Sequence, residues 1–282
     1  MKSLQAKVEK LCAASPATLT RPAAALFDDF LDALEDGDIR AAVREQGVWR
    51  AVPWVKQGIL FGFRVGRLVD MSVTGKAKGG RLSFVDKHTY PARSFAAKDG
   101  IRIVPGGSTI RRGAHVAKGV ICMPPMYINV GAWVGEKTMV DSHALVGSCA
   151  QIGARVHLSA AAQIGGVLEP VNASPVVVED DALVGGNCGI YEGTVVRARA
   201  VIGAGVVLTR GTPVYDLVRE KVITATAERA LEIPEDAVVV PGARAVSSPW
   251  GKANGLSLQT PVIVKYRDAK TDTATALESW LR

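Results

Sequence analysis

Several common protein classes are excluded by what this chain has little of. Four cysteines occur in 282 residues (Cys12, Cys122, Cys149 and Cys188), with no CxxC pair and no dense framework. Free thiols in a reducing cytoplasm are therefore expected, and no metal is. Aromatic residues make up 6%, and no basic run carries interleaved aromatics, so a nucleic-acid partner is not expected despite a net charge of +7. Hydrophobic residues reach 48%, yet no apolar run approaches the roughly 18 residues that span a bilayer, so no membrane partner is expected either. The opening residues from Met1 to Lys10 mix charges and hold no apolar signal core. The positive balance suits anionic small molecules.

What the chain does have is a repeat. Stepping by six from Val104, it reads Val104, Ile110, Val116, Cys122, Ile128, Val134, Val140, Val146, Ile152, Leu158 and Ile164. The phase jumps by fourteen to Val178, then resumes through Val184, Ile190, Val196, Ile202, Leu208 and Val214. A small residue often follows four positions later, as at Ala114, Ala132, Ala144, Ala150, Ala162, Ala182, Cys188 and Ala200. A period of six fits neither an α-helix nor sustained strand alternation. It suits a solenoid of very short strands, with three six-residue edges to a triangular coil. The aliphatic residue points inward, and the small residue lets the corner close. Extra residues at 165–177 are expected as a loop thrown outward, where solenoids build binding surfaces.

The flanks differ from the repeat. Phe27, Phe30, Leu31 and Leu34 fall at helical spacing before an Asp36-Gly37-Asp38 stop, so residues 1–45 read as helical. Trp54 to Phe63 reads as a second helix. Thr74 to Arg81 is a basic glycine-rich turn, and Ala77 after Gly75-Lys76 breaks a phosphate-loop motif that needs Ser or Thr there. Val238–Gly242 and Pro261–Tyr266 read as short strands of a closing cap. The expected domains are helical over 1–101, a β-helix over 102–216 and a β-rich cap over 217–282.

Four stretches carry a family resemblance: Met139-Val140-Asp141-Ser142, Val146 to Gly153, Val156-His157-Leu158-Ser159, and Ile164 to Pro170. With Gly100–Pro105, Phe84–Lys87, Val262–Lys265 and Asp268–Thr271, they resemble the tetrahydrodipicolinate N-succinyltransferases of the hexapeptide-repeat class. The resemblance spans nearly the whole chain. It implies a mainly β fold, a left-handed parallel β-helix, and a homotrimer. It also implies transfer of a succinyl group from succinyl-CoA to the amine of 2-amino-6-oxopimelate, in lysine and diaminopimelate biosynthesis. Asp141 and Glu192 match the family's two acidic residues, and Arg102 its substrate-contacting arginine. By coil counting, Asp141 and Glu192 lie on different edges and more than two coils apart, which calls for a neighbouring subunit. CoA is expected along a groove near Gly166, Gly186 and Gly203, with Lys265 and Arg267 as candidates for its phosphates. The chain departs from the family pattern at Gly185–Tyr191, at His143 and in the longer stretch Val218–Ile233.

Three rivals stand beside this reading. A hexapeptide acetyltransferase would use a histidine base, with His115, His143 and His157 as candidates. A zinc hydro-lyase on the same prism would need three histidines in register at an interface, which the spacing does not offer. A non-catalytic binding solenoid of the ice-binding kind would need flat threonine ladders, which are absent, and the flanking domains and the loop at 165–177 argue against a bare scaffold.

Overall fold

A computed structural model describes residues 2–14, 19–74 and 81–271 of the chain. The glycine-rich segment 75–80 lies outside the described residues. From residue 102 onward, two-residue strands succeed one another and stack into three parallel sheets. The first face begins with Arg102–Ile103, Ile121–Cys122, Met139–Val140 and His157–Leu158. The second begins with Thr109–Ile110, Tyr127–Ile128 and Leu145–Val146, and the third with His115–Val116, Trp133–Val134 and Gln151–Ile152. Where no residues are inserted, a strand pairs with the one eighteen residues on (Met139 with His157, for example), so one coil is three edges.

The inward residues explain why this closes. Ile128, Ile152, Leu158, Ile164, Ile190, Ile202 and Leu208 are fully buried, each stabilising the prism by about 1.5–3 kcal/mol. The corner residues Ala114, Ala132, Ala144, Ala150, Ala162, Ala182, Cys188 and Ala200 are buried with them. At most corners one residue takes a left-handed φ, and these fall in multiples of six at Gly113, Gly119, Gly131, Lys137, His143, Cys149, Arg155 and Ala161, passing over the Pro124-Pro125 corner. Non-glycine residues accept that conformation at about 1–2 kcal/mol each, offset here by the packing that each corner completes.

The repeat differs from its expected limits at both ends. Ile103, not Val104, pairs with Cys122, because Gly106 and Gly107 add a residue to the first corner. At the other end Val214 leaves the phase and pairs with Ile223 in a hairpin. The third face instead continues at Glu232–Ile233, and the first face at Val238–Val239. The coil therefore runs past 216, with residues 209–231 inserted into it. Beyond it, Ala237–Ala245 and Ser257–Tyr266 form an antiparallel ribbon that closes this end.

Ahead of the prism, helices α1 (Lys2–Ala14), α2 (Arg21–Asp36) and α3 (Pro53–Val65) pack together. Gly37, at φ 85°, ends α2 by taking amide bonds back to Ala33 and Leu34. The helical reading of 1–45 needs one correction. Ala42–Glu45 pairs with Val48–Ala51 as a β-hairpin, since Gln46-Gly47 supplies two positive φ values between β-favouring residues. Phe27, Phe30, Leu31, Leu34, Val55 and Ile59 bury themselves together with Val130 and Cys149 of the prism. The helices thus sit on the vertex between the second and third faces.

Candidate functional site

That vertex is where the prism is interrupted. Following the second-face strand Gln163–Ile164, residues 165–176 bulge outward before Val177–Val178 resumes the third face. Following Val207–Leu208, residues 209–231 leave the prism before Glu232–Ile233. Between these two insertions lies one tight corner, Tyr191-Glu192-Gly193-Thr194. The insertions and the corner enclose a cleft of about 910 Å³ lined by Gly166, Pro170, Tyr191, Glu192, Arg210 and Glu228, among others.

The Glu192 corner is unlike its neighbours. At the other regular six-residue corners positive φ falls at the second central residue, as at His143 in Asp141-Ser142-His143-Ala144, apart from the Pro124-Pro125 corner, which has none. Here Glu192 and Gly193 are both positive, at 54° and 74°, the pattern of a type I′ turn. Gly193 keeps the six-residue phase, and Glu192 is the residue out of step. A carboxylate held in a disfavoured backbone conformation at a cleft is a reason to suspect function. Glu192 is exposed, and its Oε2 accepts a bond from the Arg210 amide at 2.9 Å.

Both insertions are fixed by cations that bind main-chain carbonyls. Arg210 donates to the carbonyls of Thr226 and Ala227, holding the second insertion. Lys56 of α3, fully buried, donates to the Pro170 carbonyl at 3.1 Å and the Ala173 carbonyl at 2.7 Å. Burial lowers the Lys56 pKa below its ordinary value. Ser174 Oγ adds a bond to the Trp49 carbonyl at 3.3 Å.

Asp141 stands on another vertex, between the first and second faces. Its Oδ1 accepts from the Ser142 amide at 2.7 Å, and His157 Nε2 on the next coil lies 3.8 Å from its Oδ2. Glu192 follows a second-face strand two coils beyond the one that comes after Asp141. At about 4.8 Å per coil, that places them about 10 Å apart along the axis, as well as on different vertices. One chain does not bring them together.

The remaining expected site residues are scattered. Gly186 and Gly203 share the Asp141 vertex, and Gly166 borders the Glu192 cleft. Their missing side chains serve packing between coils: a Cβ at Gly166 would stand 2.6 Å from the Ser148 nitrogen, and one at Gly203 2.9 Å from the Val239 oxygen. At Gly186 the nearest atom, the Ala160 oxygen, would be 3.2 Å away. Arg102 is exposed on the first coil, on the same face as Met139–Val140. Lys265 lies on the C-terminal ribbon, paired with Asp268 at 3.3 Å. Arg267 donates to the Asp181 and Arg199 carbonyls at 3.2 and 3.0 Å, which ties its guanidinium to the third vertex.

Of the candidate histidine bases, His115 stacks on Trp133 at 3.8 Å and bonds the Glu35 carbonyl through Nδ1. Burial lowers its pKa, against that bond, so it reads as a packing residue. His143 is exposed at its corner, and its amide bonds the Pro125 carbonyl. Among the described residues, no group of three or more His, Cys, Asp or Glu could hold a metal ion, and no helix is long and apolar enough to cross a membrane.

Lys56 escapes the sequence reading, and the second insertion is caught only in part, as the longer stretch Val218–Ile233; each left a trace. Lys56 is a charge on the apolar side of the Trp54–Phe63 helix, one residue after Val55 and three before Ile59. The second insertion shows in the return of the six-residue step from Ile233 to Val239.

Comparison with known proteins agrees with this architecture. A family model for the tetrahydrodipicolinate N-succinyltransferase N-terminal region matches residues 3–65, and one for the hexapeptide repeat of succinyl-transferase matches 175–210. A 2,3,4,5-tetrahydropyridine-2,6-dicarboxylate N-succinyltransferase of Polynucleobacter asymbioticus is 42% identical over 258 residues, covering 89% of this chain and 87% of its own. That of Sodalis glossinidius is 35% identical over 292 aligned positions, covering 100% and 99%. A solved structure from Campylobacter jejuni, described as a 2,3,4,5-tetrahydropyridine-2-carboxylate N-succinyltransferase, superimposes with a TM-score of 0.52 at 17% identity. It covers 84% of this chain and 62% of that one, and the likeness is one of fold: mainly β and left-handed β-helix-like. With such identity over nearly its full length, the chain belongs to the 2,3,4,5-tetrahydropyridine-2,6-dicarboxylate N-succinyltransferase family.

Proposed function

We propose that this protein transfers the succinyl group of succinyl-CoA to the amine of 2-amino-6-oxopimelate, the hydrated open form of tetrahydrodipicolinate, in lysine and diaminopimelate biosynthesis. The family's names support the reaction. The observation that carries the site is the Glu192 corner, out of phase between two insertions at one cleft.

The chemistry asks for three things. The acceptor must lose its ammonium proton, must lie near the thioester carbonyl, and must displace the CoA thiolate. Asp141 and Glu192 can bind the ammonium and accept its proton, which is worth roughly 10²–10⁴-fold in rate. Nitrogen attack then forms the amide bond, the carbon–sulfur bond breaks, and the thiolate leaves to take up a proton. No protein nucleophile is needed. Holding the reactants together supplies up to about 7–11 kcal/mol of the barrier in favourable cases. Arg102 is suited to one carboxylate of the acceptor, since a guanidinium grips carboxylates bidentately. Gly166, Gly186 and Gly203 are the candidate backbone contacts for CoA, and Lys265 is the candidate for one of its phosphates. Arg267, already bound to two carbonyls, suits that role less.

The separation of Asp141 from Glu192 supports a site shared between neighbouring prisms, and hence a cyclic homotrimer. A biosynthetic enzyme that draws on CoA would work in the cytoplasm. Subunit mixing tests the shared site. Asp141→Ala and Glu192→Ala proteins are each expected to be inactive. Unfolded and refolded together in equal amounts, they should regain about a quarter of wild-type activity, because a quarter of interfaces then carry both carboxylates. No recovery from mixed oligomers would place both carboxylates within one chain's site.

A further inference from the structure

We propose that Lys56 is a positioning residue of the transfer site: by binding the Pro170 and Ala173 carbonyls, it fixes the cleft wall that faces Glu192. The inference rests on the reading above, in which the Glu192 cleft is part of the site of transfer from succinyl-CoA.

Lys56 is a fully buried cation, and the partners the structure gives it are those two carbonyls, at 3.1 and 2.7 Å. Burying an ammonium is unfavourable unless its hydrogens are satisfied. A helix packed on a prism has no packing need for one, since methionine would fill a similar volume. What the lysine supplies is directional: α3 otherwise packs through its apolar side chains, and they cannot bind a carbonyl. The remaining ties on this insertion are weaker or lie at its ends. Leu168 packs against the helical cluster, the Val167 amide bonds Ser148 at 3.2 Å, and Ser174 Oγ bonds Trp49 at 3.3 Å. Among the described residues, the hydrogen bonds that reach the stretch between Leu168 and Ser174 from another element are donated by Lys56 Nζ. Pro170 and Ala173, whose carbonyls it holds, both line the cleft that Glu192 lines. Without that anchor the wall is free to shift, and contacts that the wall makes equally in the ground and transition states are weakened together, which raises KM and leaves kcat nearly unchanged.

The experiment uses the full-length protein and reads two things in Lys56→Met and Lys56→Arg: hydrogen–deuterium exchange and steady-state kinetics. In Lys56→Met, exchange should rise over peptides from 166–174 and remain unchanged over the prism strands. The KM for succinyl-CoA should rise about tenfold, with kcat at saturation within about twofold. Lys56→Arg, which keeps a cation with several donors, should recover part of the KM. The proposal is overturned if exchange and KM both stay at wild-type values, if the segment loosens with no change in KM, or if exchange rises throughout the protein. Should Lys56→Met not fold, Ser174→Ala removes the Ser174 side-chain hydrogen bond to Trp49 and should raise exchange over the same peptides and raise KM less; wild-type values there overturn the proposal. A wild-type protein that transfers nothing from succinyl-CoA refutes the transfer reading instead, and the exchange result then stands apart from it.

Discussion

Replacing Gly166 with alanine puts a methyl group 2.6 Å from the Ser148 nitrogen and 3.2 Å from the Gly147 carbonyl carbon. Both neighbours are main-chain atoms of the adjacent coil, so no side-chain rotation relieves the contact. The coil cannot yield far, because Gly147 on its side has equally little room against Gly165 and Gly166. Relief must come from Gly166 moving outward, which stretches the Val167 amide bond to the Ser148 oxygen, now 3.2 Å. Overpacking of this kind costs about 1–3 kcal/mol, and the lost bond adds about 1 kcal/mol. The expected loss is therefore about 2–4 kcal/mol, or roughly 3–7 °C in Tm for a chain of this size. Gly211→Ala is the control, since no atom lies within 4 Å of its added methyl, and it should stay within about 0.5 kcal/mol of wild type. Urea unfolding followed by circular dichroism gives both numbers. If Gly166→Ala unfolds at the same urea concentration as wild type and Gly211→Ala, the close approach of the coils is wrong. The glycine would then serve only to admit a ligand, and its effect would be confined to KM.

Two further outcomes follow from buried groups. Burial pushes the Cys122 and Cys149 thiols up to about 12, whereas an unfolded thiol ionises near 8.5–9. The folded chain keeps protons that the unfolded chain releases, so stability is full below pH 8 and falls as pH rises toward 12. Between pH 8 and 10 each thiol should remove about 1–2 kcal/mol. Urea midpoints at the two pH values check this, and Cys149→Ala should lower the slope; an unchanged slope would contradict it. Thr138, fully buried, donates to the Gly153 oxygen at 2.8 Å and accepts from the Val156 amide at 3.0 Å. Thr138→Val keeps the shape but strips that amide of its acceptor, for about 1–3 kcal/mol, while Thr138→Ser should stay near wild type; equal urea midpoints for the two variants would refute this.

The prism was legible because its physics is one-dimensional. An aliphatic residue every sixth position must face inward whatever the flanks do, so Ile110 through Leu208 declare the fold without any long-range pairing. The corner conformations were not legible, because Lys137, Cys149 and Arg155 carry no side-chain preference for positive φ; only stacking imposes it. Asp141 and Glu192 could be named from motifs, but their distance apart is a property of coil geometry. The grip of Lys56 on 170 and 173 joins residues more than a hundred positions apart, and no local pattern encodes that. The second insertion hid because Val214 kept the step of six for one position after the chain had already left the prism.

The central claim is succinyl transfer, and product formation tests it most directly. Purified protein would be given 2-aminopimelate with succinyl-CoA or with acetyl-CoA, and the products read by mass spectrometry, since four cysteines would cloud a thiol dye. The account expects N-succinylated product, lost in both Asp141→Ala and Glu192→Ala. Acetylated product with no succinylated product, or none from either donor, would contradict it.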